Sequence, residues 1–208
     1  MSTSSPHPVA GVILLVQAAV IALILALTGG SPAVPVTFID ETLAAVNVGA
    51  AAVVVLVFCG ILRFIPRDTR FVELSQVSGI TVFLIAQLNG ITEVTSLVPL
   101  YAISAGATLF LVLHDHDGGR LSYSFGAAVG IVPWGVIAFA QIGSGVIGEG
   151  PTPIVRIITL GMLALMIGIW TVIRLLRTRP SDALQRVATI LGVAAPSVFA
   201  WLALFVRP

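Results

Sequence analysis

Residues 10–28 read AGVILLVQAAVIALILALT, an apolar stretch without a charged side chain. A helix rises about 1.5 Å per residue, so about 20 such residues cross the hydrocarbon core of a bilayer, which is about 30 Å thick. Similar stretches follow at 43–65, 71–91, 94–113, 121–144, 154–176 and 184–206. No soluble core of 208 residues needs seven of them. We therefore predict an all-α bundle of seven transmembrane helices.

The composition agrees with a multi-pass protein of the cell membrane. Hydrophobic residues make up 58% of the chain and charged residues only 9%, and the net charge of +1 argues against nucleic acid as a partner. The loops are short, which predicts one transmembrane domain over residues 9–208, in contact with the lipid bilayer. Residues 1–8, MSTSSPHP, are predicted to form a disordered cytoplasmic tail.

The arginines of the loops predict the orientation of the bundle. Basic residues near short loops stay in the cytoplasm. Arg156 and Arg207 lie on the side of the C-terminus. The side that holds the N-terminus and the second, fourth and sixth loops carries Arg63, Arg67, Arg70, Arg120, Arg174, Arg177, Arg179 and Arg186. We therefore expect the N-terminus in the cytoplasm and the C-terminus outside, the reverse of the usual seven-helix receptor.

The first loop, residues 29–42, is the longest loop on the outer side. Its residues 34–39, VPVTFI, alternate weakly between apolar and polar side chains. Such alternation is typical of a strand. The loop is predicted to form either a small extracellular hairpin or an irregular lid.

The third helix carries the most polar residues, and polar side chains inside a membrane are costly. Four of its residues follow helical spacing and are expected on one face: Glu73, Gln76, Ile80 and Gln87. Arg70 precedes Glu73 by three residues, and Arg63 ends the second helix on the same side. Two interpretations are open: an ion pair of Glu73 with Arg63 or Arg70 at the membrane surface, or a buried polar cavity around Glu73.

Helices 5 and 7 each contain a proline and a tryptophan. Pro133 precedes Trp134, and Pro196 lies in the middle of the last stretch, where its missing N–H predicts a kink. Ser197 and Trp201 are four residues apart and share a face. The tryptophans either pack in the core or flank a flat apolar ligand.

At these residues the chain resembles the heliorhodopsins. Helix 3 of that family is similar to residues 70–73 (RFVE), 84–87 (LIAQ) and 90–91 (GI), and its helix 5 is similar to residues 130–134 (GIVPW). The likeness runs from helix 1 to the end of helix 7, where Ser197, Ala200 and Trp201 carry it. It implies a rhodopsin-like seven-helix bundle of inverted topology.

The chain departs from that family at the attachment site of its cofactor. Heliorhodopsins bind retinal through a Schiff base to a helix 7 lysine just before the serine, and that position here is Pro196. The sequence contains no lysine, and arginine cannot replace it because the guanidinium is always protonated. We expect no covalent cofactor, and retinal or another apolar polyene only as a non-covalent ligand. By the resemblance Glu73 matches the Schiff-base counterion, so Arg63 or Arg70 is expected to supply its cation.

Three functions remain open for a protein of this kind. The resemblance favours a sensory or regulatory protein that holds an apolar ligand, and the alternatives are a small-solute transporter or channel, or a structural or assembly partner of another, unknown membrane protein. An enzyme is not expected, because no nucleophile and base motif is present. The predicted ligand pocket consists of Glu73, Gln76, Gln87, Trp134, Pro196, Ser197 and Trp201.

A homodimer through helices 4 and 5 is also expected. The resemblance suggests it, and small residues four apart allow close approach of helices. These are Ala102 and Gly106 on helix 4, and Gly126 and Gly130 on helix 5. The alternative is that the glycines pack only within one bundle.

One run of possible metal ligands, His114-Asp115-His116-Asp117, lies in the predicted fourth loop. Histidine and aspartate suit zinc or nickel. Four consecutive ligands without a second cluster are a weak signal, so the run is interpreted as a solvated cytoplasmic turn and no metal is predicted.

Overall fold

A computed structural model of the protein describes residues 8–39, 41–65, 69–117, 120–148 and 150–206. In chain order its elements are α1 (Pro8–Thr28), β1 (Ala33–Phe38), β2 (Glu41–Asn47), α2 (Val48–Leu62), α3 (Arg70–Leu88), α4 (Val94–Asp117), α5 (Arg120–Val146), α6 (Pro153–Thr178) and α7 (Asp182–Ala203). The predicted tail, residues 1–8, lies outside the described residues except for Pro8, which begins α1.

Six helices, α1 and α3 to α7, are long and apolar enough to cross a membrane. Their outer surfaces carry large apolar side chains such as Leu27, Phe139 and Val146, each more than three-quarters exposed. In water such a surface would be costly, whereas the hydrocarbon of a bilayer covers it without that cost. The predicted helical membrane bundle is confirmed, and these six helices begin and end within a few residues of the predicted positions.

The second helix is shorter than the predicted range of 43–65. α2 has 15 residues, and at about 1.5 Å per residue it spans about 22 Å, less than a hydrocarbon core of about 30 Å. Residues 43–47 belong instead to β2, which pairs antiparallel with β1. Asn47 ends β2 and caps α2, because its Oδ1 atom accepts a hydrogen bond of 2.9 Å from the N–H of Ala50.

The two strands form a hairpin that is bonded to the segment before α4. The N–H of Thr37 donates to the carbonyl of Thr92 at 2.9 Å, and Thr37 Oγ1 donates to Glu93 Oε1 at 3.1 Å. Of the two structures predicted for this loop, the hairpin is confirmed and the irregular lid is wrong. We call this end of the bundle the hairpin end, and the opposite end, where α2, α4 and α6 finish, the arginine-rich end.

The apolar core runs along the centre of the bundle. It joins α1, α2, α3, α5 and α7 through side chains that are at most 1% exposed, among them Leu14, Leu56, Ile85, Ile137 and Phe199. α1 and α2 approach closely at two glycines, since a Cβ atom on Gly60 would lie 3.3 Å from the carbonyl oxygen of Gly11. The core thus brings the end of α2, the first turn of α3 and α7 close together.

The glycines that were expected on a dimer face of α5 lie inside the bundle. A Cβ atom on Gly126 would lie 2.7 Å from Phe110 Cβ and 2.7 Å from the Trp170 ring. On Gly130 it would lie 3.3 Å from Ala107 Cβ. The close packing of α5 against α4 and α6 explains both glycines, so they do not support a dimer interface on α5.

The run of residues 114–117 is helical and not a turn, because α4 continues to Asp117. His114 is buried at 6% exposure, and its ring centroid lies 5.6 Å from that of Tyr123 on α5. The side chains of the other three residues lie outside the part of the chain that the structure describes. The interpretation as a solvated turn is therefore wrong for His114.

Candidate ligand cavity

An ion pair joins α2 and α3 at the arginine-rich end. Arg63 follows the last residue of α2, and Glu73 lies in the first turn of α3. Arg63 Nη2 lies 2.7 Å from Glu73 Oε1, and the two side chains are 15% and 8% exposed. Because both charges are largely removed from water, each offsets the desolvation cost of the other. The side chain of Arg70, the other cation predicted for Glu73, lies outside the described residues.

α7 approaches this ion pair at Gly192. A Cβ atom on Gly192 would lie 3.0 Å from Arg63 Nη2, which is tighter than ordinary van der Waals contact. The absence of a side chain at this position therefore gives the guanidinium room beside α7. Gly192 lies one helical turn before Pro196.

A cavity of about 220 Å³ lies beside the ion pair. Its wall is formed by the end of α2, one face of α3, Thr108 of α4, Trp134 of α5, and long segments of α6 and α7. Along α3 it extends from Glu73 past Thr81, and eight residues of helix correspond to about 12 Å. The cavity is therefore elongated along the helix axes.

The two ends of this cavity differ in polarity. The ion pair, Gln185 and Thr189 line it at the arginine-rich end. Deeper in the bundle the wall is largely apolar and includes Val77, Val82, Trp134, Met162, Met166, Ala195 and Pro196. The indole N–H of Trp134 donates to Met166 Sδ at 3.0 Å. This deep end thus presents an apolar surface whose indole donor is already bonded.

Two polar atoms of the wall are buried without a hydrogen-bond partner among the described residues. They are Arg63 Nε and Thr81 Oγ1. Buried N–H and O–H groups in proteins are nearly always bonded, because an unmade bond costs about 1–3 kcal/mol. Because both atoms have almost no accessible surface, neither is exposed to the open space of the cavity.

Of the seven residues predicted for a ligand pocket, Glu73, Trp134 and Pro196 line this cavity. The other four bond elsewhere in the described structure. Gln76 accepts a hydrogen bond from the Tyr101 hydroxyl, and Gln87 Nε2 donates to the carbonyl of Val34 in the hairpin at 3.5 Å. Ser197 Oγ donates to the carbonyl of Val193, and the indole of Trp201 donates to Gln17 Oε1. The structure thus brings three of the predicted residues together and not the other four.

Several residues of the cavity wall were not predicted from the sequence. On α3 the lining face follows steps of four residues, from Glu73 through Val77 to Thr81. On α7 it follows Gln185, Thr189, Gly192 and Pro196, at steps of four, three and four. Helical spacing measured from Glu73 and Pro196 is the signal that could have found these residues.

A family model described as Heliorhodopsin matches residues 42–206, well over half of the chain. The chain belongs to the heliorhodopsin family. A comparison with curated proteins finds no match. Membership of this family, together with the six long apolar helices, makes the chain a multi-pass membrane protein. The first turn of α3, with Glu73, and the middle of α7, with Pro196, both lie within the matched residues.

Proposed function

We propose that this heliorhodopsin is a sensory or regulatory membrane protein that holds an apolar ligand without a covalent bond. The observation that carries the proposal is the Arg63–Glu73 ion pair, with its 2.7 Å contact beside the cavity. By the resemblance of this chain to other heliorhodopsins, Glu73 occupies the position of the counterion of a retinal Schiff base. Here a guanidinium from α2 already supplies the cation.

Covalently bound retinal does not fit the residues of this cavity. The position that the resemblance assigns to the attachment lysine is Pro196, which lines the cavity but carries no amine. The sequence contains no lysine at any position. An arginine side chain cannot take over the bond, because its guanidinium stays protonated and is not a nucleophile toward an aldehyde.

The deep end of the cavity supports an apolar ligand. Trp134, Met162 and Met166 supply an aromatic face and two flexible thioethers, and such side chains adapt to flat or irregular apolar molecules. Each Å² of apolar ligand surface that leaves water contributes about 25 cal/mol to binding. A long polyene or a similar hydrocarbon is therefore the kind of ligand that we propose.

The test is reconstitution of the purified protein with all-trans retinal, followed by borohydride reduction and an intact-mass measurement. We expect no retinyl adduct, and a retinal absorption close to that of the free aldehyde that is lost on denaturation. A stable adduct in the natural protein would contradict the proposal. The matched control is Pro196→Lys, which returns an amine to the cavity wall and is expected to give a mass adduct and a visible band.

We also propose that the protein forms a homodimer through α4. Ala102 is exposed on α4, and one turn further the space beside Gly106 is open. Small residues four apart let two helices approach closely in a membrane. Since Gly126 and Gly130 are used inside the bundle, α4 supplies the small-residue face of this interface.

A further inference from the structure

One face of α6 is exposed along most of the helix and ends in a charge. Leu160, Ala164, Ile167, Thr171 and Arg174 are all exposed, at steps of four, three, four and three residues. Helical spacing places them in one stripe. The stripe is about 21 Å long, more than half of a hydrocarbon core of about 30 Å. Because the Thr171 hydroxyl donates to the carbonyl of Ile167 at 2.7 Å, the stripe is effectively apolar up to the guanidinium at the arginine-rich end.

The ring of Tyr123 on α5 holds this guanidinium. Arg174 Cζ lies 5.1 Å from the centroid of the Tyr123 ring, within the distance of about 6 Å over which a ring face attracts a cation. The Tyr123 ring also contacts two other rings, with centroids 5.6 Å from that of His114 and 5.7 Å from that of Trp170. An aromatic ring carries no net charge, so this contact fixes the position of Arg174 without neutralising it.

The arginine-rich end has more arginines than carboxylates. Eight arginines belong to this end, and five carboxylates can face them. These carboxylates are Asp68, Glu73, Asp115, Asp117 and Asp182. Even if each carboxylate neutralises one arginine, three arginines remain for anions from outside the chain. Arg174 forms no ion pair with the described residues, which do not include Asp68 or the side chains of Asp115 and Asp117.

The depth of Arg174 in the bilayer matches that of a lipid phosphate. Arg174 precedes Thr178, the last residue of α6, by one helical turn, so its long side chain can extend along the helix to the level of the head groups. A guanidinium binds phosphate oxygens through two parallel hydrogen bonds. Arg177 is exposed as well and lies three residues further along, next to Arg174 on the helix surface. A phosphate that contacts both guanidiniums would reduce the repulsion between them.

We infer that Arg174 and Arg177 bind the phosphate of an anionic phospholipid in the leaflet at the arginine-rich end, and that an acyl chain of this lipid lies along the exposed stripe of α6. A head group with a net negative charge fits better than one whose phosphate is balanced by its own choline, because the excess charge at this end of the protein is positive. The inference does not involve the ligand cavity, so it is independent of the proposed function.

The test measures lipid binding to the full chain in detergent by native mass spectrometry. The two probes are phosphatidylglycerol and phosphatidylcholine with identical acyl chains. We expect phosphatidylglycerol to bind to the natural protein at least about tenfold more tightly than phosphatidylcholine. Arg174→Gln should weaken the binding of phosphatidylglycerol about fivefold, which corresponds to about 1 kcal/mol for one arginine near the head groups.

Two further variants separate a defined site from general attraction by the arginines. Arg156→Gln makes the same change on the same helix, at an exposed position of the hairpin end, and should leave the affinity for phosphatidylglycerol unchanged. Arg179→Gln removes an exposed arginine just after α6. It should weaken the binding by less than about twofold, because a charge that does not touch the phosphate acts through water and salt.

Equal binding of the two lipids to the natural protein would overturn the inference. An unchanged affinity in Arg174→Gln would also overturn it, since Arg174 would then be neutralised within the chain. An equal loss in Arg179→Gln would replace the site by diffuse attraction. Displacement of phosphatidylglycerol by soluble glycerol 1-phosphate would assign the arginines to a free phosphate and not to a lipid. A loss in Arg174→Gln that exceeds both other variants, without such displacement, supports the inference.

Discussion

Arg63 Nη2 lies so close to α7 that a Cβ atom on Gly192 would be only 3.0 Å from it. The same Nη2 atom bonds to Glu73 at 2.7 Å. Three helices therefore meet at one guanidinium: α2 carries it, α3 pairs with it, and α7 leaves room for it. One turn beyond Gly192 is Pro196, the position that the resemblance assigns to the retinal lysine.

The close approach of Arg63 to Gly192 predicts that a side chain at position 192 weakens the ion pair. Gly192→Leu should displace the Arg63 guanidinium from Glu73 and lower the free energy of unfolding by about 2 kcal/mol, a usual cost of overpacking. The change in the free energy of unfolding is measured by unfolding the purified protein in mixed micelles. The matched control is Gly168→Leu on α6, where, among the described residues, no atom outside the local helix backbone lies within 4 Å of the added Cβ. Equal stability of the two variants would contradict the prediction.

The burial of both partners predicts strong coupling between Arg63 and Glu73. Arg63→Gln or Glu73→Gln alone leaves one buried charge without its partner and should lower the free energy of unfolding by about 3 kcal/mol. The double variant removes both charges and should be more stable than either single variant. A double-mutant cycle in mixed micelles measures this coupling. Strictly additive losses would show that the two charges do not depend on each other.

The packing of glycines predicts different effects on α4 and α5. Gly106→Leu adds a side chain to open space on α4 and should leave the fold stable but shift the protein from dimer to monomer. Gly126→Leu collides with Phe110 and Trp170 and should cost about 1–3 kcal/mol of folding free energy. Detergent-corrected mass measurement separates the monomer of 21.6 kDa from its dimer. A natural protein that stays monomeric at all concentrations would rule out the proposed interface.

The arginine distribution predicts which end of the bundle faces the cytoplasm. In a Cys59→Ala background, Thr28→Cys probes the end of α1 near the hairpin, and Thr178→Cys probes the end of α6 at the arginine-rich end, both at exposed positions. In intact cells a membrane-impermeant maleimide should label only Thr28→Cys, and Thr178→Cys should react after lysis. Labelling of Thr178→Cys in intact cells would reverse the proposed orientation.

The hydropathy of the chain was enough to predict the helical bundle, because length and apolar character are properties of each segment alone. α6 was predicted over 154–176 and forms Pro153–Thr178. α2 was predicted less well, because residues 43–47 are as compatible with a strand as with a helix. Pairing with β1 decides between them, and that pairing depends on a segment earlier in the chain.

Helical spacing alone did not predict which residues of α3 line the cavity. Glu73 and Gln76 were expected on one face, yet Glu73 faces Arg63, and Gln76 accepts a hydrogen bond from Tyr101 of α4. α3 is surrounded by neighbouring helices, so polar side chains on different faces can each find a partner. The periodicity of one helix does not say which neighbour lies on which face.

The sequence by itself determined the helical membrane bundle and the lack of any lysine, and it named Arg63 and Arg70 as the cations available to Glu73. These follow from composition and from the cost of burying an unpaired charge. Only the tertiary structure decided that Arg63 forms the observed pair, that Gly192 makes room for it, and that a cavity extends from there to Trp134 and Pro196. These features arise from how α2, α3, α6 and α7 pack together, and packing between segments distant in the chain is not encoded in the pattern of any one of them.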